Sequence, residues 1–155
     1  MASADLLTLS NDVFRTYAAC VTLLSLKMTV TAWHTVARMI SSGGYGMRNP
    51  EDLIAGPATP QPKADMIRPY EPTERLRRMM GHDLENNVPF FAVGMVYVLL
   101  DAGGTTPLRL YAGSKFLHHG VYLTGQRHEL RAAIWTFTSC TFLYMCARVM
   151  MVLLL

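Results

Sequence analysis

Apolar residues concentrate in four stretches of the chain, at about residues 13–40, 74–100, 107–124 and 131–155. Each stretch reaches the length, about 17–25 residues, that an α-helix needs to cross the hydrocarbon core of a bilayer. Residues 41–73, between the first two stretches, contain a Ser-Ser-Gly-Gly run and four prolines from Pro57 to Pro69. Such a segment is typical of a loop and not of a second domain. The pattern predicts an all-α fold, an integral membrane four-helix bundle that forms a single membrane domain.

Three of the predicted helices carry polar side chains at helical spacing, so that each set lies along one helix face. A polar face in a membrane-spanning helix is costly unless it points into the bundle or a watery cavity, where it can bind a ligand. The three sets are Lys27, Thr31, His34 and Arg38; Arg75, Arg78, His82 and Glu85; and Tyr111, Lys115, His118 and Tyr122.

Three residues inside the apolar stretches carry specific expectations. Lys27 lies near the middle of the first stretch, and we expect it to form an ion pair within the bundle, with Asp83 or Glu85. Pro89 cannot donate a hydrogen bond to the carbonyl four residues earlier, which predicts a kink in the second helix. Arg148 is expected to snorkel or to pack between helices.

The composition supports a membrane protein and disfavours several other classes. Hydrophobic residues make up 51% of the chain, charged residues only 16%, and the mean hydropathy is +0.21. A soluble domain carries about 25% charged residues. The net charge of +3 is scattered, without a basic run interleaved with aromatic residues, so no nucleic-acid partner is expected. The three cysteines do not cluster with histidines, so no metal site is expected.

The distribution of basic residues predicts an orientation in the membrane. Four crossings place both termini on one side, and the loop at residues 41–73 and the link at residues 125–130 on the other. That second side holds most of the Lys and Arg near the helix ends, so it is expected to face the cytoplasm. The side chains predicted to meet at this depth are Arg38, Arg75, Arg77, Arg78, His118, Tyr122 and Arg131.

Short motifs follow one another along nearly the whole chain. They are Leu-Lys-Met at 26–28, Asn-Pro-Glu-Asp at 49–52, Glu-Arg-Leu-Arg-Arg at 74–78, Asp-Leu-Glu-Asn at 83–86, Pro-Phe at 89–90, and His-His-Gly-Val-Tyr-Leu at 118–123 with Arg131 eight residues later. Each motif is weak alone, but their order and their positions on the predicted helices are specific. The chain resembles the membrane-associated proteins in eicosanoid and glutathione metabolism, the MAPEG family, and within it the glutathione transferase branch.

The resemblance implies a homotrimer that conjugates the thiolate of glutathione, its cosubstrate, to hydrophobic electrophiles entering from membrane lipid. It also implies glutathione peroxidase activity on lipid hydroperoxides, and residence in the endoplasmic reticulum membrane or the mitochondrial outer membrane, with the active site toward the cytoplasm. Arg131 aligns with the arginine that stabilises the thiolate in the family and is the expected catalytic residue. The residues implied to bind glutathione are Arg38, Arg77, Arg78, His82, Glu85, His118, Tyr122 and Trp135.

The residue types at these positions match the chemistry of glutathione, which has two carboxylates, an ammonium and a thiol. Arginine forks suit the carboxylates, and a glutamate such as Glu85 suits the ammonium. The chain also departs from the family pattern. His82 replaces an asparagine, which makes its hydrogen bonding depend on tautomer and pH. Arg38 is one position out of register, and Leu53 stands where the transferase branch often has a cysteine, so thiol-triggered activation there is not expected.

Two alternative functions are compatible with the same fold. One is a glutathione-dependent isomerase of prostaglandin endoperoxide, and the other is a non-catalytic lipid-binding scaffold. Ala132 and Trp135 stand where the isomerase has a serine and a tyrosine, which disfavours the first alternative. The presence of Arg131 together with Arg77, Arg78 and Glu85 disfavours the second.

Overall fold

A computed structural model describes residues 6–57 and 59–155 of the chain. In this part of the chain four long helices follow one another: α1 (Asp12–Ser41), α2 (Glu71–Leu99), α3 (Thr106–Leu123) and α4 (His128–Leu154). The connection between α1 and α2 contains two short 3-10 helices, Pro50–Leu53 and Ala64–Ile67. The described residues form no strand, only an isolated bridge between Gly56 and Thr59. The all-helical prediction is confirmed, and each helix begins and ends within three residues of its predicted bounds.

Two of these helices, α1 and α4, are long and apolar enough to cross a membrane. Both leave large apolar side chains exposed, among them Val30 and Trp33 on α1 and Leu143 and Met151 on α4. Soluble monomers rarely expose apolar surface of this extent, whereas lipid tails solvate it well. The two helices and the composition therefore indicate a membrane protein. That α2 and α3 also cross the membrane stays a prediction, since their polar faces lower their hydropathy.

Local sequence explains where the helices begin and end. Asn11 caps α1, because its Oδ1 accepts hydrogen bonds from the backbone N–H groups of Val13 at 2.8 Å and Phe14 at 3.2 Å. The ends of α1, α2 and α3 share a Schellman pattern, in which a residue with positive φ follows the helix and the next N–H bonds the carbonyl five residues earlier. The residues with positive φ are Gly43 (75°), Asp101 (48°) and Gly125 (69°).

The chain divides into two compact units. The first unit comprises the chain up to Leu26 together with Leu84–Leu155, and the second comprises Lys27–Asp83. Each predicted site residue therefore lies in one unit or the other.

The first unit is built around stacked aromatic rings. Phe90 of α2 and Tyr111 of α3 stack with ring centroids 3.9 Å apart and planes 4° from parallel. The hydroxyl of Tyr111 donates to the Asn86 carbonyl at 2.7 Å, and the hydroxyl of Tyr17 donates to the Phe91 carbonyl at 2.7 Å. Buried phenols need such partners. These contacts fix the segment of α2 around its internal proline, where the predicted kink stays a prediction.

Polar contacts also join elements within the first unit. Thr138 of α4 and Ser114 of α3, both buried, form a hydrogen bond of 2.8 Å between their hydroxyls. Arg148 donates from Nε to the Ala102 carbonyl at 2.9 Å, at the turn that follows α2. Arg148 is thus bonded to that turn, and its packing between helices stays a prediction.

A buried ion pair joins α1 to α2 in the second unit. Lys27 Nζ lies 2.8 and 2.7 Å from the two carboxylate oxygens of Asp83, and both side chains are only 5% exposed. The predicted ion pair of Lys27 is thus confirmed, with Asp83 as the partner and not Glu85. Thr31, one turn further along α1, donates from its hydroxyl to the Lys27 carbonyl at 2.8 Å.

Candidate functional site

Arg131 is held in the first turn of α4, which begins at His128. Its guanidinium carbon lies 4.7 Å from the centroid of the Tyr122 ring, within the range of a cation–π contact. Its Nε atom is buried and has no hydrogen-bond partner among the described residues. A buried donor without a partner costs about 1–3 kcal/mol, or more when it is charged. The site therefore offers a charged donor that an anionic ligand would satisfy.

The end of α3 brings two further predicted residues to this arginine. The rings of His118 and Tyr122 have centroids 5.8 Å apart with planes tilted by 54°. His118 is buried, and Tyr122 is half-buried beneath the Arg131 guanidinium. The tight turn through Gly125 lets α4 start close to the end of α3, which places Arg131 against Tyr122. All three are site residues predicted from the sequence, and the structure brings them together.

Trp135 lies one turn beyond Arg131 on α4 and is 44% exposed. Its indole Nε1 donates to Asn86 Oδ1 at 3.2 Å. Sequence analysis did not select Asn86 as a site residue, although it is the last residue of the Asp-Leu-Glu-Asn motif. Its neighbour Glu85 is exposed and forms neither an ion pair nor a hydrogen bond with the residues that the structure describes. Glu85 therefore has its carboxylate available for a cationic group.

Arg77, in the second unit, is fully engaged by protein groups. Its Nη1 lies 2.5 Å from Glu74 Oε1, and its Nη2 donates to the Gly46 carbonyl at 2.6 Å. Arg48 also pairs with Glu74, so that the carboxylate joins two arginines. Gly46 has a φ of 89°, and a Cβ there would lie 2.3 Å from Thr73 Oγ1, which explains why the position is a glycine. Arg77 thus connects α2 to the loop that follows α1.

The other predicted arginines of the second unit, Arg38 and Arg78, are exposed and form exposed hydrogen bonds. Arg78 lies 2.7 and 3.0 Å from the two carboxylate oxygens of Glu71, and the hydrogen bond from Arg78 lowers the pKa of the Glu71 carboxyl. Arg38 donates from Nε to His34 Nε2 at 3.2 Å. The predicted site residue His82, also in this unit, is half-buried. Exposed pairs of this kind contribute little stability, so a ligand carboxylate can replace Glu71 beside Arg78 at low cost.

The predicted site residues are thus distributed over both units. That they all meet at one depth stays a prediction. Those in the first unit are Glu85, His118, Tyr122, Arg131 and Trp135, and those in the second are Arg38, Arg77, Arg78 and His82.

An apolar groove of about 410 Å³ runs between α3 and α4 in the first unit. Leu110 and Leu117 line it from α3, and Ile134 and Phe137 line it from α4. A second groove of about 410 Å³ adjoins it and shares Leu110 and Phe137. Surfaces of this kind suit apolar chains, as expected where helices face lipid.

Comparison with known proteins gives consistent similarities. The model of the MAPEG family matches residues 17–151. Microsomal glutathione S-transferase 1 of Homo sapiens is 31% identical to this chain over 123 residues, which is 75% of each chain. The Sus scrofa protein of the same name is 34% identical over 129 residues, and the Mus musculus protein 33% over 125 residues, each covering 78% of this chain and 79% of the relative. The family match includes every predicted site residue.

Proposed function

This chain belongs to the MAPEG family, and from that premise we propose that it is a membrane-bound glutathione transferase. In this proposal it joins the sulfur of glutathione to apolar electrophiles that enter from the bilayer. The observation that carries the proposal is Arg131, a fixed cation with a buried Nε donor that no described residue satisfies. Similarity to proteins named microsomal glutathione S-transferase 1 supports the same reaction class.

We assign the thiolate of glutathione to Arg131. A free thiol has a pKa of about 8.5, so only a few per cent is ionised at neutral pH. A permanent cation nearby, together with the N-terminus of α4, favours the thiolate and lowers that pKa. Arg131 acts through its charge and does not accept the proton, which passes to solvent.

The remaining parts of glutathione are assigned by chemical complement. Glu85, which is exposed and pairs with none of the described residues, suits the ammonium. Arg78 suits a carboxylate of glutathione, because it already binds the carboxylate of Glu71. That ion pair is exposed, so a ligand carboxylate can replace Glu71. Arg77 would have to release Glu74 and Gly46 to bind directly. The other proposed ligands are Arg38, His82, His118 and Tyr122.

The conjugation step is a substitution at carbon. With a halonitroarene, the thiolate sulfur forms a bond to the ring carbon that bears the halogen, and the halide leaves with the bonding electron pair. Holding the thiolate beside an apolar electrophile converts a bimolecular encounter into a reaction within one site.

We propose a peroxidase reaction at the same sulfur. The thiolate attacks the terminal oxygen of a lipid hydroperoxide, the O–O bond breaks, and the lipid alkoxide leaves with the bonding electron pair and takes a proton from solvent to become the alcohol. The sulfur is oxidised to a sulfenic acid, which a second glutathione converts to the disulfide with loss of water. We further propose that the protein works as a homotrimer with four crossings per subunit in the endoplasmic reticulum membrane, its site facing the cytoplasm.

The two alternative functions are less well supported. The scaffold has no use for the unsatisfied Nε of Arg131, which is costly to keep without a ligand. The prostaglandin isomerase is disfavoured by Trp135, which stands where that enzyme has a tyrosine and whose indole is held by Asn86.

Arg131→Ala tests the proposed catalytic role. We expect kcat/KM with glutathione and a halonitroarene to fall about 100-fold, as when one stabilising donor is removed from a developing anion. The apparent pKa of bound glutathione, followed by the ultraviolet absorbance of its thiolate, should rise toward about 8.5.

Arg127→Ala is the matched control, because it removes the same charge four residues earlier at an exposed position. Its rate and pKa should equal those of the wild type. Equal rates for wild type and Arg131→Ala would contradict the thiolate role, and no rate in either protein would favour the scaffold.

Glu85→Gln tests the assignment of the ammonium. Removing one partner of a charge-assisted contact should weaken glutathione binding about tenfold or more, as measured by calorimetry. Glu129→Gln, which alters another exposed carboxylate in the first turn of α4, should leave the dissociation constant unchanged. An unchanged constant in Glu85→Gln would remove Glu85 from the site.

A further inference from the structure

The indole of Trp135 is oriented by a hydrogen bond from another helix. Its Nε1 donates to Asn86 Oδ1 of α2 at 3.2 Å, although the side chain is 44% exposed. In apolar surroundings an indole N–H without an acceptor is costly, so this bond restricts the ring to orientations that keep the N–H on Asn86.

Asn86 is itself supported from the core. Its carbonyl accepts the Tyr111 hydroxyl at 2.7 Å, and the Tyr111 ring stacks on Phe90 at 3.9 Å. Because these supporting contacts use the backbone of Asn86 and the rings beneath it, a substitution of the Asn86 side chain leaves them in place. The side-chain oxygen is therefore a rigidly placed acceptor for Trp135.

Trp135 follows Arg131 by one helical turn, which places both side chains on the same side of α4. We propose that Asn86 is a positioning residue: its side-chain oxygen fixes the Trp135 indole as a flat wall beside Arg131, and the wall selects planar aromatic electrophiles over flexible ones. Flat apolar rings stack favourably on an indole face, so their binding depends on how the indole is oriented. The binding of a linear alkyl chain depends little on the orientation of the indole. The inference rests on the proposed transferase function and moves Trp135 from glutathione to the electrophile.

The kinetic test compares Asn86→Leu, Trp135→Phe and the double variant with the wild type. Leucine lacks the acceptor, and phenylalanine keeps an aromatic ring but lacks the N–H. Each single variant should lower kcat/KM for a planar halonitroarene about tenfold, the range of a lost hydrogen bond, and change it less than about twofold for a linear alkyl hydroperoxide. The double variant should be no worse than either single one, because both substitutions remove the same bond.

Asn86→Asp keeps an oxygen at the same place and should restore the selectivity. Glutathione affinity, measured by calorimetry, should be unchanged in Asn86→Leu. Additive losses in the double variant, equal losses for both electrophiles, or weaker glutathione binding would each overturn the proposal.

A spectroscopic test is independent of turnover. Trp33 and Trp135 are the two tryptophans of the chain, so in a Trp33→Phe background the fluorescence reports on Trp135 alone. Asn86→Leu should shift the emission and lower its anisotropy, whereas Asn86→Asp should not. An unchanged spectrum in Asn86→Leu would contradict the positioning role. Absence of turnover in the wild type would overturn the transferase function and with it the selectivity, while the spectrum would still decide whether Asn86 orients the indole.

Discussion

At the scale of single residues, two cations, Lys27 and Arg131, differ in how the protein satisfies their charge. Lys27 is neutralised by Asp83 at 2.7 Å within the protein. Arg131 rests on the Tyr122 ring with a buried Nε that no described residue satisfies. A fully paired charge stabilises a particular packing, whereas an incompletely paired one is retained at a cost that binding can offset. This difference in pairing indicates a structural role for Lys27 and a functional role for Arg131.

Lys27→Met should be strongly destabilising. It leaves the Asp83 carboxylate buried without its partner, which costs about 3–5 kcal/mol, whereas replacing both residues by apolar ones is often nearly neutral. In detergent, the midpoint of thermal unfolding should therefore fall strongly for Lys27→Met. It should recover in the Lys27→Met, Asp83→Leu double variant.

The exposed pair of Arg15 and Asp12 provides the comparison for that prediction. Its side chains are 62% and 71% exposed, and Arg15→Met should cost less than about 1 kcal/mol. If the Lys27→Met and Arg15→Met variants unfold at similar temperatures, the ion pair between Lys27 and Asp83 is not buried.

At the scale of helices, the ends of α1, α2 and α3 follow one backbone pattern with different residues. Gly43 and Gly125 adopt positive φ without a side chain to strain, whereas Asp101 adopts a φ of 48° with one. An L-residue in this conformation costs about 1–2 kcal/mol relative to its preferred regions, less for Asp than for most residues.

Asp101→Gly should therefore stabilise the protein by up to about 1 kcal/mol, seen as a higher midpoint of thermal unfolding. Gly43→Ala should do the opposite by a similar amount, since nothing lies within 4 Å of an added Cβ and only the backbone conformation opposes it. A lower midpoint for Asp101→Gly would mean that the aspartate side chain stabilises the turn by more than its strained conformation costs.

The sequence predicted the helices well because their signals are local. Apolar stretches, prolines and glycines placed every helix boundary within three residues. The ion pair of Lys27 was also predictable, since helical spacing and burial leave few possible partners. The bond between Trp135 and Asn86 was not, because it joins residues 49 positions apart whose alignment depends on how α2 and α4 pack. The hydrogen bond from Arg77 to the Gly46 carbonyl was also not predictable, since a backbone acceptor has no sequence signature.

At the scale of the whole molecule, membrane character rests on apolar content and on two sufficiently apolar helices. The polar faces of α2 and α3 make these helices poor candidates by hydropathy alone, yet such faces are tolerated where they point into protein or a watery cavity. If the chain crosses the membrane four times, the polar faces of α2 and α3 lie within the bilayer, as the proposed site requires.

Cysteine labelling tests the predicted four crossings. In a variant with Cys20, Cys140 and Cys146 replaced by alanine, single cysteines are introduced as Ser10→Cys, Ala55→Cys or Leu155→Cys, all at exposed positions. In sealed vesicles with the cytoplasmic face outward, an impermeant maleimide should label Ala55→Cys before permeabilisation, because the loop at residues 41–73 is predicted to face the cytoplasm.

Ser10→Cys and Leu155→Cys should react only after permeabilisation, since an even number of crossings returns the chain to its starting side. Labelling of one terminus but not the other in sealed vesicles would mean an odd number, so that α2 or α3 lies outside the bilayer. Labelling of both termini with protection of Ala55→Cys would reverse the orientation. The basic ends of α2 and α4 would then face away from the cytoplasm, and glutathione would have to reach Arg131 from the opposite side.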